Sequence, residues 1–223
     1  MQVTETPILY SFRRCPYAMR GRMGLWSAEI DVELREVKLA NKPAELIEAS
    51  PKATVPVLDF RDGSVIDESI AIMRWALHQN DPEGWLSGDD DALITRNDGP
   101  FKHHLDRYKY PTRYPDEAGG GEEAFRLHHR EAAYEILRDL DARLAAQAQL
   151  CGDKRTLADI ALFPFIRQFA NTDRAWFDAQ PIPHLQRWLA GHLESDLFKS
   201  IMPKFAPWKA GDYVIKFGPA SAA

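Results

Sequence analysis

Apolar positions in the first eighty residues switch repeatedly between the two-residue period of a strand and the 3.6-residue period of a helix. Ile8 to Phe12 reads as a strand, and Met19, Met23 and Trp26 then share one helical face. Val32 to Leu39 predicts a second strand. Ala44 to Ala49 predicts a short helix entered through Pro43, which suits a first-turn position because its missing N–H would have no partner there. Val57 to Phe60, then Arg61-Asp62-Gly63, then Ser64-Val65-Ile66 predicts a β-hairpin, since Asp-Gly accepts the positive φ angles of a tight turn. Ile70, Met73 and Leu77 mark a third helix. The expected order, β-α-β-α-β-β-α, mixes parallel and antiparallel pairing in a small sheet covered by helices.

Strand signals fade from Asp81 onward. Residues 81–92, rich in Asp, Gly and Pro, read as a linker between a first domain over 1–80 and a helical domain over 93–223. Ala133, Ile136, Leu137, Leu140 and Leu144 make the clearest apolar stripe of that second half. Tyr114 to Gly121, with Pro115 and three successive glycines, is expected to be a flexible loop between two long helices. Gly218 to Ala223 is expected to fray.

The bulk numbers narrow the classes of function. The chain has 223 residues, 45% hydrophobic and 27% charged, enough for a packed core. Its formal charge of -5 supplies no overall positive field for phosphates, which argues against a general nucleic-acid binder. No apolar run approaches the roughly 20 residues needed to span a bilayer. The first residues, with Glu5 and no long apolar stretch, lack the layout of a signal peptide, so a cytoplasmic location without membrane attachment is expected. Cys15 and Cys151 are too distant in sequence to suggest a disulfide framework or a zinc motif, which leaves thiol chemistry.

One cysteine has unusual neighbours. Cys15 stands in Arg13-Arg14-Cys15-Pro16-Tyr17-Ala18, at the expected start of the Met19/Trp26 helix. A thiol attacks as thiolate, and unpaired N–H groups at a helix start together with nearby guanidinium groups favour the anion. Pro16 fits the first helical position. The bland alternative is a small buried cysteine beside solvated arginines, but buried cysteines usually lie inside apolar runs, so a reactive thiol is the reading taken. Val55-Pro56 precedes the third strand; were that bond cis, the Val55 backbone would offer an edge to an extended peptide, whereas the base rate of cis bonds favours plain trans. In Asp67-Glu68-Ser69, Ser69 is expected as an N-cap, and the same groups could hold a zwitterionic amino-acid head.

Cys-Pro-Tyr-Ala after a first strand, Thr54-Val55-Pro56 before a third, a hairpin, and Glu68-Ser69 before a helix resemble the cytosolic glutathione transferases, most of all the cysteine-type, omega-like bacterial group. Cys151-Gly152-Asp153 followed by Thr156-Leu157-Ala158-Asp159-Ile160-Ala161 is similar to the signature of that family's helical half, and Thr156 with Asp159 reads as a capping box with the shorter acid. The resemblance implies a thioredoxin-like N-terminal domain followed by an all-helical C-terminal domain, with glutathione as co-substrate and a homodimeric assembly. It implies Cys15 as the catalytic thiol, with Tyr17 flanking it. Glutathione would be held by the Val55 backbone beside a cis Pro56, by Glu68 and Ser69 at its γ-glutamyl end, and by Lys42 at its glycyl carboxylate. The first helices of the second domain would line the pocket for a small disulfide or electrophile, so Tyr108, Tyr110 and Arg113 are candidates there.

Ala18 occupies the place of a second motif cysteine, so a local dithiol cycle is not available and a monothiol cycle is. The expected activity is glutathione-dependent thiol transfer or reduction, deglutathionylation and dehydroascorbate-type reduction included. Conjugation or reductive dehalogenation, which would bring Tyr10 or Ser11 forward, and a non-enzymatic scaffold are the alternatives. Cys151 is expected to be structural. His103-His104 and His128-His129 are expected to hold no metal, because adjacent residues on one helix point in different directions.

Overall fold

The computed structural model describes residues 6–221, so Glu5 and the last two residues of the expected frayed end lie outside the described residues. In chain order the first elements are β1 (Ile8–Ser11), α1 (Pro16–Ser27), β2 (Val32–Glu36), α2 (Ala44–Ala49), β3 (Val57–Asp59), β4 (Val65–Ile66) and α3 (Ser69–Gln79). There follow α4 (Asp91–Arg96), α5 (Lys102–Lys109), α6 (Pro115–Ala118), α7 (Glu122–Leu144) and α8 (Leu157–Ala170). The last are α9 (Arg174–Asp178), α10 (Pro183–Glu194), α11 (Asp196–Ser200) and β5 (Lys216–Phe217).

Contacts divide these elements into one unit of residues 1–86 with 194–223 and another of residues 87–193. The break after Leu86 falls within the linker expected at 81–92, but the grouping of 194–223 with the first unit differs from an all-helical domain over 93–223. The reason is the C-terminal segment, which pairs β5 with the first sheet and carries no apolar alternation long enough to announce a strand.

In the first unit the sheet order is β4-β3-β1-β2-β5. β1 and β2 run parallel, as a connection through a helix permits, while β3, β4 and β5 pair antiparallel with their neighbours. The central strands are buried on both faces, with Leu9, Leu34, Val57 and Leu58 fully enclosed, and each such side chain contributes about 2 kcal/mol of transfer free energy. Helices α1 and α3 pack together at Gly24, where a Cβ would lie 3.0 Å from the Met73 Cα. A larger residue at position 24 would push the two backbones apart. That packing fixes where the N-terminus of α1, with Cys15, meets the sheet.

In the second unit, α8 is buried along nearly its whole length. Its first turn is organised by Asp159, which is fully buried and accepts four hydrogen bonds. The Thr156 N–H and hydroxyl donate to one oxygen at 2.9 and 2.7 Å, and the Leu150 N–H and Trp188 Nε1 donate to the other at 2.8 and 2.9 Å. The capping box expected from the sequence is therefore present, and it also ties the preceding loop and α10 to α8. Between α4 and α5, Asn97 to Phe101 forms a π-turn at Pro100, whose ring nitrogen has no hydrogen to donate. The stretch 114–121 is not the loop expected. Pro115 starts α6, and Gly119, at φ 55°, ends it in the left-handed conformation, so the same Pro and Gly that suggested a loop bound a single helical turn.

Candidate functional site

Cys15 is the N-cap of α1, Pro16 is its first residue, and the Met19 N–H donates to the Cys15 carbonyl at 2.9 Å. The half-buried thiol packs against a cluster formed by Ile8, Tyr10, Val37, Leu46, Val55 and Val57. Its Sγ lies 3.7 Å from the Val55 carbonyl oxygen. The Val55–Pro56 peptide is cis. Cys15, Val55 and Pro56 are thus together, while Tyr17 is the second residue of α1, in its first turn, with the Arg20 guanidinium 5.5 Å from its ring centre.

The arginines flanking the cysteine do other work than expected. Arg13 donates from Nη1 to the Met202 carbonyl at 3.0 Å and from its backbone N–H to Glu36 at 2.8 Å. Arg14 is exposed over the Phe12 ring. The cation behind Cys15 is Arg22, seven residues on and so two turns up the same face of α1. Arg22 is fully buried, donates from Nη2 to the Arg13 carbonyl at 2.6 Å, and leaves Nε and Nη1 without a hydrogen-bond partner among the described residues. Burial lowers its pKa to about 10, while Glu36 and then Cys15 act to raise it, so it remains a cation at neutral pH within reach of the thiolate's field. The sequence signal for this cation is its place, with Arg20, between Met19 and Met23 on a buried stretch of α1. Replacing it, Arg22→Met, is expected to move the half-maximal pH for alkylation of Cys15 by iodoacetamide upward, because the thiolate loses its buried counter-charge.

At the start of α3 the N-cap is Glu68, not Ser69 as expected, so the helix begins one residue earlier and Ser69 is its first residue. Ser69 is buried, and the Arg20 Nη1 approaches its hydroxyl at 3.5 Å. Glu68 is exposed and accepts from Lys52 Nζ at 2.7 Å, and the same ammonium reaches Asp67 at 3.3 Å. Lys52 therefore joins Glu68 and Ser69 in a cluster of mixed charge that sequence reasoning missed. Lys42 is exposed in the turn before α2, and among the described residues no hydrogen bond or ion pair joins it to that cluster. Beside the Cys15 loop a cleft of about 420 Å³ is lined by Arg13, Arg14, Lys38, Lys204, Phe12 and Phe205, among others, with Glu36 its one acid. The C-terminal segment holds this place, since the Trp208 N–H donates to the Glu36 carbonyl at 2.8 Å.

Residues 14–79 match the family described as glutathione S-transferase, N-terminal domain, and residues 94–191 match glutathione S-transferase, C-terminal domain. The chain belongs to the glutathione S-transferase family. Glutathione S-transferase omega-1 of Rattus norvegicus is 38% identical over 82 residues, which are 37% of this chain and about a third, 34%, of that protein. A probable glutathione S-transferase, GSTU1, of Oryza sativa subsp. indica is 27% identical over 229 residues, 93% of each chain. A crystal structure of a glutathione transferase family member from Pseudomonas fluorescens pf-5, with two glutathione bound, superposes with a TM-score of 0.73 over 91% of this chain and 94% of that one at 19% identity. The fold is accordingly that of the glutathione S-transferases, a thioredoxin-like domain with a helical one. No helix among the described residues is long and apolar enough to cross a membrane.

The hydroxyls that could serve a conjugating transferase are engaged or enclosed. Tyr10 is buried, its oxygen accepts from Arg35 Nη1 at 2.9 Å, and burial raises its pKa. Ser11 is fully buried. Cys151 is half-buried in the second unit, and burial raises its pKa, which makes it the poorer nucleophile.

The three residues expected at a second-substrate pocket do not share a surface. Tyr108 is a core residue, 1% exposed and packed on Phe169 with ring centres 5.2 Å apart, because it falls on the face of α5 that carries Leu105. Tyr110 and Arg113 form a stacked pair past the end of α5, the guanidinium 3.9 Å from the ring centre. The histidines also depart from expectation. His103 and His104 hold their rings nearly perpendicular with centres 5.0 Å apart, and ring nitrogens of these two and of His129 on α7 lie within 4.8 Å of one another. The sequence argument considered one helix at a time and missed the facing one.

Proposed function

We propose that this transferase is an omega-like, glutathione-dependent thiol transferase in which Cys15 is the nucleophile. The observation that carries the reading is the placement of Cys15 at the N-terminus of α1, against the Val55 carbonyl, with the buried cation Arg22 behind it. The partial match to an omega-class enzyme supports it. So does the burial of Tyr10, since a phenol with a raised pKa already accepting from Arg35 is poorly placed to stabilise a second thiolate.

In the proposed cycle the Cys15 thiolate attacks the glutathionyl sulfur of a mixed disulfide. The old S–S bond breaks, the other thiol leaves as a thiolate that takes a proton from solvent, and Cys15 carries glutathione. The thiolate of a second glutathione attacks that adduct, releasing glutathione disulfide and restoring the Cys15 thiolate. The net reaction converts one mixed disulfide and one glutathione into one thiol and one glutathione disulfide, so no electrons are left over. Val55 would pair with the cysteinyl part of glutathione beside Pro56, and Tyr17 would flank the two sulfurs. Glu68 and Ser69 would hold the γ-glutamyl end, with Lys52 available to its carboxylate. Lys42 would meet the glycyl carboxylate. The excess of basic side chains around the cleft at Phe12 and Phe205 favours an acceptor with negative charge, a deprotonated small acid or a glutathionyl conjugate. A role in second-substrate binding for Tyr110 and Arg113 rests on the family resemblance alone. A homodimer acting in the cytoplasm is proposed for the whole enzyme.

The test supplies glutathione with either a small glutathionyl mixed disulfide or a chlorinated aromatic electrophile. Disulfide reduction is expected to exceed conjugation by about a hundredfold in kcat/KM. Conjugation at the faster rate would replace thiol transfer by the conventional transferase reaction.

A further inference from the structure

Three imidazoles in the helical unit form a group that the thiol chemistry does not use. His103 and His104 come from α5 and His129 from α7, and one ring nitrogen of each lies within 4.8 Å of the other two. The Nδ1 atoms of His104 and His129 face each other at 2.8 Å. Around a tetrahedral ion with metal–nitrogen bonds of about 2.0–2.1 Å, ligand nitrogens stand about 3.4 Å apart. The group brackets that spacing, so a small rotation that opens the half-buried His104 from buried His129, with exposed His103 turning inward, would match it. Ring neighbours of His129 outside the group, Phe125 at 4.5 Å between ring centres and His128 at 5.1 Å, limit how far its ring can turn.

We infer that His103, His104 and His129 form a three-imidazole site for a divalent transition cation of the zinc type, linking α5 to α7. The chemistry of the donors selects the ion. Imidazole nitrogen suits zinc, copper, nickel and cobalt, whereas magnesium and calcium require oxygen ligands. The carboxylates around the group are committed elsewhere, Glu131 to Arg130 among them. Asp106 pairs with Lys102, and Glu117 holds both edges of the Arg107 guanidinium at 2.8 and 2.7 Å. That pairing also offsets the Arg107 cation, whose field acts on His104 and His129. Because His103 is exposed, the fourth position of a tetrahedral ion opens to solvent, the layout of a three-histidine site with a water or exogenous ligand.

The experiment uses the full chain without a polyhistidine tag and adds Co²⁺ alone, then Zn²⁺ in competition. The expected result is one Co²⁺ per chain, visible absorption bands of a four-coordinate nitrogen site, and their loss on adding one equivalent of Zn²⁺. His103→Ala removes an exposed side chain, so the fold is retained, and it is expected to weaken Co²⁺ binding about tenfold or more. His128→Ala, outside the group, is expected to leave binding unchanged. Zn²⁺ should raise the thermal midpoint of the unmodified chain and not that of His103→Ala. Absence of saturable Co²⁺ binding overturns the inference and leaves a hydrogen-bonded histidine pair. Equal binding by the unmodified chain and His103→Ala, or loss confined to His128→Ala, overturns the assignment equally.

Discussion

Cys15→Ala is expected to lower the glutathione-dependent reduction of a mixed disulfide by about a thousandfold or more in kcat. Both halves of the proposed cycle form or break a bond to this sulfur, and no neighbouring group can replace it. Cys151 lies in the other unit with its pKa raised by burial. The loss should be chemical and not structural, since the substitution removes one half-buried atom from the edge of a cluster whose other members stay in place. The thermal midpoint is therefore expected to stay within a few degrees of the parent. Steady-state rates and thermal melts of the two proteins decide the matter. Cys151→Ala should retain the parent rate.

Asp159→Ala is expected to be the most damaging substitution to stability, at about 3–5 kcal/mol. It strands four donors at once: the Thr156 N–H, the Thr156 hydroxyl, the Leu150 N–H and the Trp188 indole N–H. These lie in a region without access to water, so each donor loses a partner that solvent cannot replace. The cap of α8 goes with them, although α8 itself is apolar enough to stay buried. A fall of about 10 °C in the thermal midpoint is the corresponding scale for a chain of this size. Asp159→Asn, which keeps an acceptor oxygen but places an amide where donors converge, is expected to fall between the parent and Asp159→Ala. Chemical denaturation of the three proteins measures the order.

Local patterns carried much of this molecule. The strand-helix alternation of the first eighty residues is local, with each element announced by its own periodicity, and β1 to α3 follow it within a few residues. The Thr156 and Asp159 spacing likewise states its own hydrogen bonds, because a capping box closes within one turn. What was hidden depends on partners distant in sequence. β5 has two residues and no alternation of its own, and it exists because β2 offers an edge. Arg22 could be seen as a charge on an apolar face, but its nearness to Cys15 required the helix to be built. Lys52 gains meaning from Glu68, sixteen residues on. Tyr108 went the other way. The family resemblance put it at a pocket wall, whereas the helix phase turns it into the core against Phe169.

The most direct test of the account asks whether Cys15 itself carries glutathione. The unmodified protein is treated with glutathione disulfide, its intact mass is measured, and the modified residue is located by peptide mapping before and after excess glutathione. One glutathione per chain, on Cys15, removed by excess glutathione at a rate no slower than turnover, is the predicted result. Turnover that continues without any adduct on Cys15, or with an adduct on Cys151 alone, would contradict the monothiol cycle and the placement of the reaction at the start of α1.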